Sequence, residues 1–182
     1  MSGNTASNKV YDSNSSATVS VTLSGFVGSE TLTYTNSSSF NNKNVGTGKT
    51  VTVDSITLAD GNNGGLASNY SITPGQTTTA NITAKSLTIS GIIASSKTYN
   101  GSTSATLDTS AILYSGLIPG DIFDGSYTGA FSNANVGTAK TVTITSSYTG
   151  ADVSNYSITN QTSTTADISA KALTATVSAS NK

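Results

Sequence analysis

The chain has 182 residues, of which 9% are charged and 35% hydrophobic, and its net charge is −1. So small a charge leaves no basic field to hold nucleic acid or anionic lipid. Cysteine and histidine are both absent, which removes disulfides, thiolate metal ligands and the commonest general base, so no catalytic, cofactor-binding or metal site is expected and the chain is not expected to be an enzyme.

Ordinary soluble domains carry roughly 25% charged residues; here Ser, Thr, Asn and Gly solvate the surface instead. A composition this polar is shared with disordered chains, but the apolar residues alternate with threonine in short runs, as half-buried strands require. With two prolines in the whole chain, the reading is of an ordered protein. Met1 to Asn4 has neither a basic n-region nor an apolar h-region, so no signal peptide is read there. No apolar run is long enough to span a membrane. We read the sequence as an excised piece or a mature product with a short added start.

In chain order, the first strand runs from Ala17 to Leu23 with period two, and a second from Glu30 to Thr35 leads into a turn at Asn36 to Ser39. The clearest strand is Lys49 to Leu58: Val51 and Val53 point inward, then the inward positions pass to Ile56 and Leu58, which predicts a bulge near Asp54-Ser55. Asp60 to Gly65 is a glycine-rich loop, with room for a single helical turn near Leu66 to Ser68. Strands follow at Tyr70 to Thr73, Thr77 to Thr83 and Ser86 to Ile93. The order then repeats at Ser104 to Leu107, Ile112 to Tyr114, Gly125 to Phe131 and Thr141 to Tyr148. Many short strands without a βαβ pattern predict an all-β chain of two tandem immunoglobulin-like sandwiches, with β-grasp-like sheets as the alternative.

The repetition is explicit. Residues 78–88, TTANITAKSLT, return as residues 164–174, TTADISAKALT, with eight of eleven positions identical. Residues 44–52, NVGTGKTVT, return as 135–143 with one change, and Ser68 to Thr73 return unchanged as Ser154 to Thr159. Lys9-Val10-Tyr11-Asp12-Ser13 corresponds to Lys97-Thr98-Tyr99-Asn100-Gly101. Shared low complexity would not keep tyrosine and lysine in register. The divisions are residues 1–8 as a leader or the end of a preceding repeat, 9–85 and 86–170 as two modules, and 171–182 as the first strand of a following repeat. The 78–88 stretch is then a seam with almost no linker.

These anchors together resemble the YDG repeat, over nearly the whole chain. Each copy departs once from the namesake triplet, at Ser13 and at Asn100, and both replacements keep turn character. The resemblance implies tandem modules of a large secreted or surface-anchored bacterial adhesin of the filamentous-haemagglutinin-like kind, and therefore an extracellular spacer rather than a chemistry.

Several motifs invite a stronger reading. Gly46-Thr47-Gly48-Lys49-Thr50 resembles the end of a phosphate-binding loop, but Lys43 stands where the first glycine belongs and a strand follows instead of a helix. A tight turn is expected. Asp60 to Gly64 offers one carboxylate where calcium wants several. The recurring lysines, Lys9/Lys97/Lys182, Lys49/Lys140 and Lys85/Lys171, are seven of the eight. Set against Asn44/Asn135, Asn69/Asn155 and Glu30/Asp121, they raise the prospect of Lys–Asn or Lys–Asp cross-links; protection of strand edges is the expected role. The recurring Tyr11/Tyr99 and Tyr70/Tyr156 are read as core residues with satisfied hydroxyls in preference to sugar-stacking platforms.

Three roles follow: a stalk, a self-assembling fibre in which residues 172–182 add as a strand to another chain, and a glycan- or receptor-binding module. The expected partners are neighbouring repeats or identical chains, with no nucleic acid and no membrane insertion.

Overall fold

The computed structural model describes residues 3–179. It is all-β. Among the described residues there is no α-helix, only single 3-10 turns at Ala67–Asn69 and Val153–Asn155. Two compact units divide the chain: Met1–Ser86 with Ile118–Asp121 and Ala151–Ser157 form the first, and Leu87–Leu117, Ile122–Gly150 and Ile158–Lys182 the second. The break after Ser86 falls inside the 78–88 seam.

The first unit holds β1 (Thr5–Ala6), β2 (Lys9–Val10), β3 (Val19–Ser20), β4 (Leu32–Phe40), β5 (Gly46–Asp60) and β6 (Thr77–Thr83). Its main sheet has the order β2–β6–β5–β4, and β1 pairs separately with β3. The pleat sends alternate residues to one face, so Val51 and Val53 of β5 meet Ala80 and Ile82 of β6, all buried, with Phe40 of β4 beside them. Opposite Ser37 and Ser38 the partners are Ser55 and Val53, which makes Asp54 the extra residue of a bulge. The parity of the inward side chains changes there, and Ile56 and Leu58 continue on it half-buried.

The remaining strands are β7 (Lys85–Ser90), β8 (Ile93–Ala94), β9 (Lys97–Thr98), β10 (Ser104–Ala105), β11 (Leu107–Asp108), β12 (Leu113–Ser115), β13 (Asp124–Phe131), β14 (Gly137–Thr149), β15 (Tyr156–Thr159) and β16 (Ser163–Ser169). They form sheets of order β10–β13–β14–β16–β9, β11–β8 and β12–β7–β15. The β14–β16 register reproduces that of β5–β6, whereas β13 pairs with β14 without the bulge found at Asp54. Gly137 faces Ile168 and Lys140 faces Ala166, with an irregularity between; in the first unit Gly46 faces Ile82 and Lys49 faces Ala80, with the same irregularity. The core of Phe131, Val142, Ala166 and Ile168 stands where Phe40, Val51, Ala80 and Ile82 stand.

Four expectations need correction. The turn expected at Asn36 to Ser39 is the interior of β4, paired with β5 throughout, because a polar run has the composition of a turn even where a neighbouring strand holds it extended. Immunoglobulin-like sandwiches are built from antiparallel sheets, yet β2 runs parallel to β6 and β9 parallel to β16; two-residue strands carry too little pattern to betray their direction. Ala17 to Leu23 contributes only Val19–Ser20 as strand. Tyr70 to Thr73 joins no sheet, although its counterpart is β15. Among the described residues no strand of the first unit corresponds to β7.

Candidate functional site

The recurring lysines build the fold. Lys9 and Lys97 lie on β2 and β9, the edge strands of their sheets. Their ammonium groups sit over the rings of Phe40 and Phe131, 5.6 and 5.1 Å from the centroids. Lys9 also donates to Asp12 Oδ1 at 2.7 Å and to the Asn14 carbonyl, and Lys97 to the Ser102 and Ser104 carbonyls. Lys49 and Lys140 donate to Asn42 Oδ1 and Asn133 Oδ1, each at 2.7 Å. Lys85 lies at the start of β7, Lys171 beyond β16, and Lys182 outside the described residues.

The phosphate-loop lookalike is a bulged turn at the start of β5. Gly48 has φ 58°, and Ala139 takes its place in the second copy with φ 47°. The amides there are already engaged: Gly48 N–H donates to Asn81 Oδ1 and Ala139 N–H to Asp167 Oδ1, both at 2.7 Å. Asn81 and Asp167 are one of the three differences between the two seams, and either side chain supplies the acceptor. In the Asp60 loop the carboxylate accepts from Ala67 N–H at 2.7 Å.

Tyrosine and acid recur as a pair. Tyr70 Oη donates to Glu30 and accepts from Val27 N–H; Tyr156 Oη donates to Asp121 and accepts from Ile118 N–H. These hydroxyls are satisfied within the fold; Tyr156 is a core residue as expected, whereas Tyr70 is only half-buried. Tyr11 and Tyr99 repeat in backbone only, since Tyr11 is 1% exposed and Tyr99 42%.

Around Tyr11 lies a cluster internal to the first unit that the repeat comparison missed. Lys43 Nζ is 2.8 Å from Asp152 and 3.5 Å from Asp121, and lies over the Tyr11 ring. Tyr11 Oη donates to Asp152, and Ser13 Oγ donates to Asp121 at 2.6 Å. Asn155, 1% exposed, accepts from Val45 N–H and donates to Asn44 Oδ1 at 3.3 Å. Burial presses the Asp121 carboxyl upward, but hydrogen bonds from Ser13 and Tyr156 outweigh it and hold it below the usual range. Burial and the bond to Asp121 push the Tyr156 phenol up to about 12. The hydrogen bond to Asp152 first, then contact with Tyr11, holds the Lys43 ammonium above its ordinary value. The one lysine without a recurring partner is the one that meets two buried acids.

The first unit also carries an open groove of about 270 Å3. Leu23, Phe26, Leu32, Leu58, Tyr70 and Ile72 line it, all half-buried, with Phe26 and Tyr70 edge to face at 5.7 Å. Among the described residues of the same unit, three buried polar atoms, Asn4 Oδ1, Ser38 Oγ and Gln76 Oε1, have no hydrogen-bond partner.

A family model described as the YDG domain matches residues 1–80 and again residues 83–166. No curated protein and no solved structure matches the chain. With both repeats matched over nearly their full length, the chain belongs to the YDG domain family, in two tandem copies.

Proposed function

We propose that the chain is a structural stalk segment of a bacterial extracellular adhesin, without catalytic activity or a cofactor. The observation that carries this reading is the inward use of its recurring polar side chains. Lys9/Lys97 and Lys49/Lys140 close their own turns, and Tyr70–Glu30 and Tyr156–Asp121 clasp their own loops. A repeated binding or catalytic site would leave matched polar groups facing outward, whereas a spacer needs them to hold a fold with no disulfide.

The test has two parts. Antibody raised to the chain labels intact cells of the source organism, and mild surface proteolysis removes the label. Deleting the segment from the parent protein leaves ligand binding by the rest of that protein intact. Label appearing only after lysis contradicts the location, and loss of binding with a normally displayed parent contradicts the role.

A further inference from the structure

Two asparagines are followed directly by glycine, Asn63 by Gly64 and Asn100 by Gly101. In such a pair the next backbone nitrogen can reach the asparagine side-chain carbon, because glycine has no side chain to obstruct the approach. Whether attack follows depends on how the loop holds the reacting groups, and the two loops hold them differently.

Asn63 is tied down. Its Nδ2 donates to the Ser29 carbonyl at 2.9 Å, so the group that has to leave is engaged. Beside it, Thr31 N–H donates to Asn62 O and Asn62 N–H to Thr31 Oγ1. A Cβ on Gly61 or Gly65 would fall 2.1 or 2.0 Å from the Thr31 carbonyl oxygen, so this loop is packed hard against Thr31.

Asn100 stands in an open turn. Asn100, Gly101 and Ser102 are all exposed, and a Cβ on Gly101 would meet nothing within 4 Å. Ser102 N–H donates to Asn100 Oδ1 at 3.1 Å. That oxygen is where negative charge develops when Cγ is attacked, and a donor already aimed at it favours the step. Lys97 Nζ bonds the carbonyl of the same Ser102 at 2.6 Å, which brings a positive charge to the turn. Among the described residues Asn100 Nδ2 donates to no protein group, so nothing in the fold retains it.

The first copy shows where the product belongs. Asp12 occupies the Asn100 position, and Asn14 N–H donates to its Oδ1 at 3.2 Å as Ser102 N–H does to Asn100. Lys9 Nζ adds a bond to that oxygen at 2.7 Å. Lys97, with no carboxylate there, turns to the Ser104 carbonyl at 2.8 Å.

We propose that Asn100 is a self-modification site, where the Gly101 nitrogen attacks Asn100 Cγ and the side-chain amide is converted to a carboxyl group. Base in the solvent takes the Gly101 amide proton as the N–Cγ bond forms. The Cγ–Nδ2 bond then breaks, and Nδ2 takes a proton from water and leaves as ammonia. Water opens the resulting cyclic imide, so that asparagine and water become aspartate or isoaspartate and ammonia, with no change of oxidation state. Opening at Cγ gives an aspartate placed for Lys97 as Asp12 is for Lys9. Opening at the backbone carbonyl routes the chain through the side chain and lengthens the turn between β9 and β10 by one methylene. The inference is independent of the stalk reading, since it needs only this turn.

Incubation of the folded chain at mildly alkaline pH, followed by tryptic mapping, tests it. Cleavage at lysine separates residues 50–85, carrying Asn63, from residues 98–140, carrying Asn100. The expected result is that residues 98–140 gain the mass difference between an amide and a carboxyl group. Fragmentation places the gain at Asn100, and a carboxyl methyltransferase detects isoaspartate there. Conversion at Asn63 is at least about tenfold slower, because the Ser29 bond and the packed loop have to open first. Unfolding in urea brings the two rates together. Gly101→Ser, which installs the residue that the first copy carries as Ser13, slows conversion at Asn100. An unchanged Asn100 in the folded chain, equal rates at Asn63 and Asn100 before urea is added, a difference that persists in urea, or conversion that Gly101→Ser does not slow overturns the proposal.

Discussion

Tyr11 and Asp152, 141 residues apart in sequence, are joined by a buried hydrogen bond of 3.2 Å inside the first unit. Lys43 donates to the same carboxylate oxygen at 2.8 Å. The Asn155 amide also donates to that oxygen, at 3.5 Å, and Asp121 lies close enough for its charge to be felt.

The cluster's stability depends on Lys43 being present to neutralise the acids. Lys43→Met keeps the stem over Tyr11 but leaves two buried carboxylates without their cation. Removing one partner of a fully buried pair costs about 3–5 kcal/mol; the Lys43 side chain is 36% exposed, and water screens part of that. A loss of about 2 kcal/mol in urea unfolding is expected, against about 1 kcal/mol for Tyr11→Phe, which removes a single hydrogen bond.

Two residues in left-handed backbone give opposite signs for the same substitution. Ser13 has φ 65° and Ala139 has φ 47°, and the equivalent positions in the other copy are Gly101 and Gly48. Ala139 is exposed, so Ala139→Gly relieves strain and stabilises by about 0.5–1 kcal/mol. Ser13→Gly relieves comparable strain but loses a bond to the buried Asp121 carboxylate, commonly about 1.5–3 kcal/mol, and is expected to destabilise. Ser13→Ala keeps the strain and loses the bond, so it is the worst of the three. Equilibrium unfolding of the three variants checks the order.

Stability should fall at both ends of the pH scale. Asp121 has a lowered folded pKa, so its contribution is complete above the ordinary value of 3.8 and is lost as the pH drops through the folded value. Tyr156 is raised from 10.0 to about 12, so its contribution is complete below pH 10 and disappears as the pH rises to 12. That rise corresponds to roughly 2–3 kcal/mol. Tyr156→Phe is expected to flatten the alkaline decline in thermal unfolding; an unchanged decline would reject the assignment.

Legibility in the sequence followed the length of each pattern. Val51 and Val53 followed by Ile56 and Leu58 revealed the Asp54 bulge because the strand runs long enough to show a change of parity. Tyr70/Tyr156 and Glu30/Asp121 were each visible as recurring, but nothing in the sequence joined tyrosine to acid, because 40 and 35 residues separate the partners. Lys43 was not, because its counterpart is Ala134 and its acids lie far along the chain; self-comparison finds what repeats and passes over a contact made once. The parallel β2–β6 pair was hidden by strands of two residues.

Urea unfolding of Glu30→Gln and Asp121→Asn, set beside the parent chain, tests the central claim most directly. Each variant keeps the size of the side chain but removes the carboxylate that accepts from Tyr70 or Tyr156. Each should lose about 1–3 kcal/mol, Asp121→Asn the more because Ser13 and Lys43 share that carboxylate. Unchanged stability in both would contradict the account, since the recurring polar side chains would then not hold the fold.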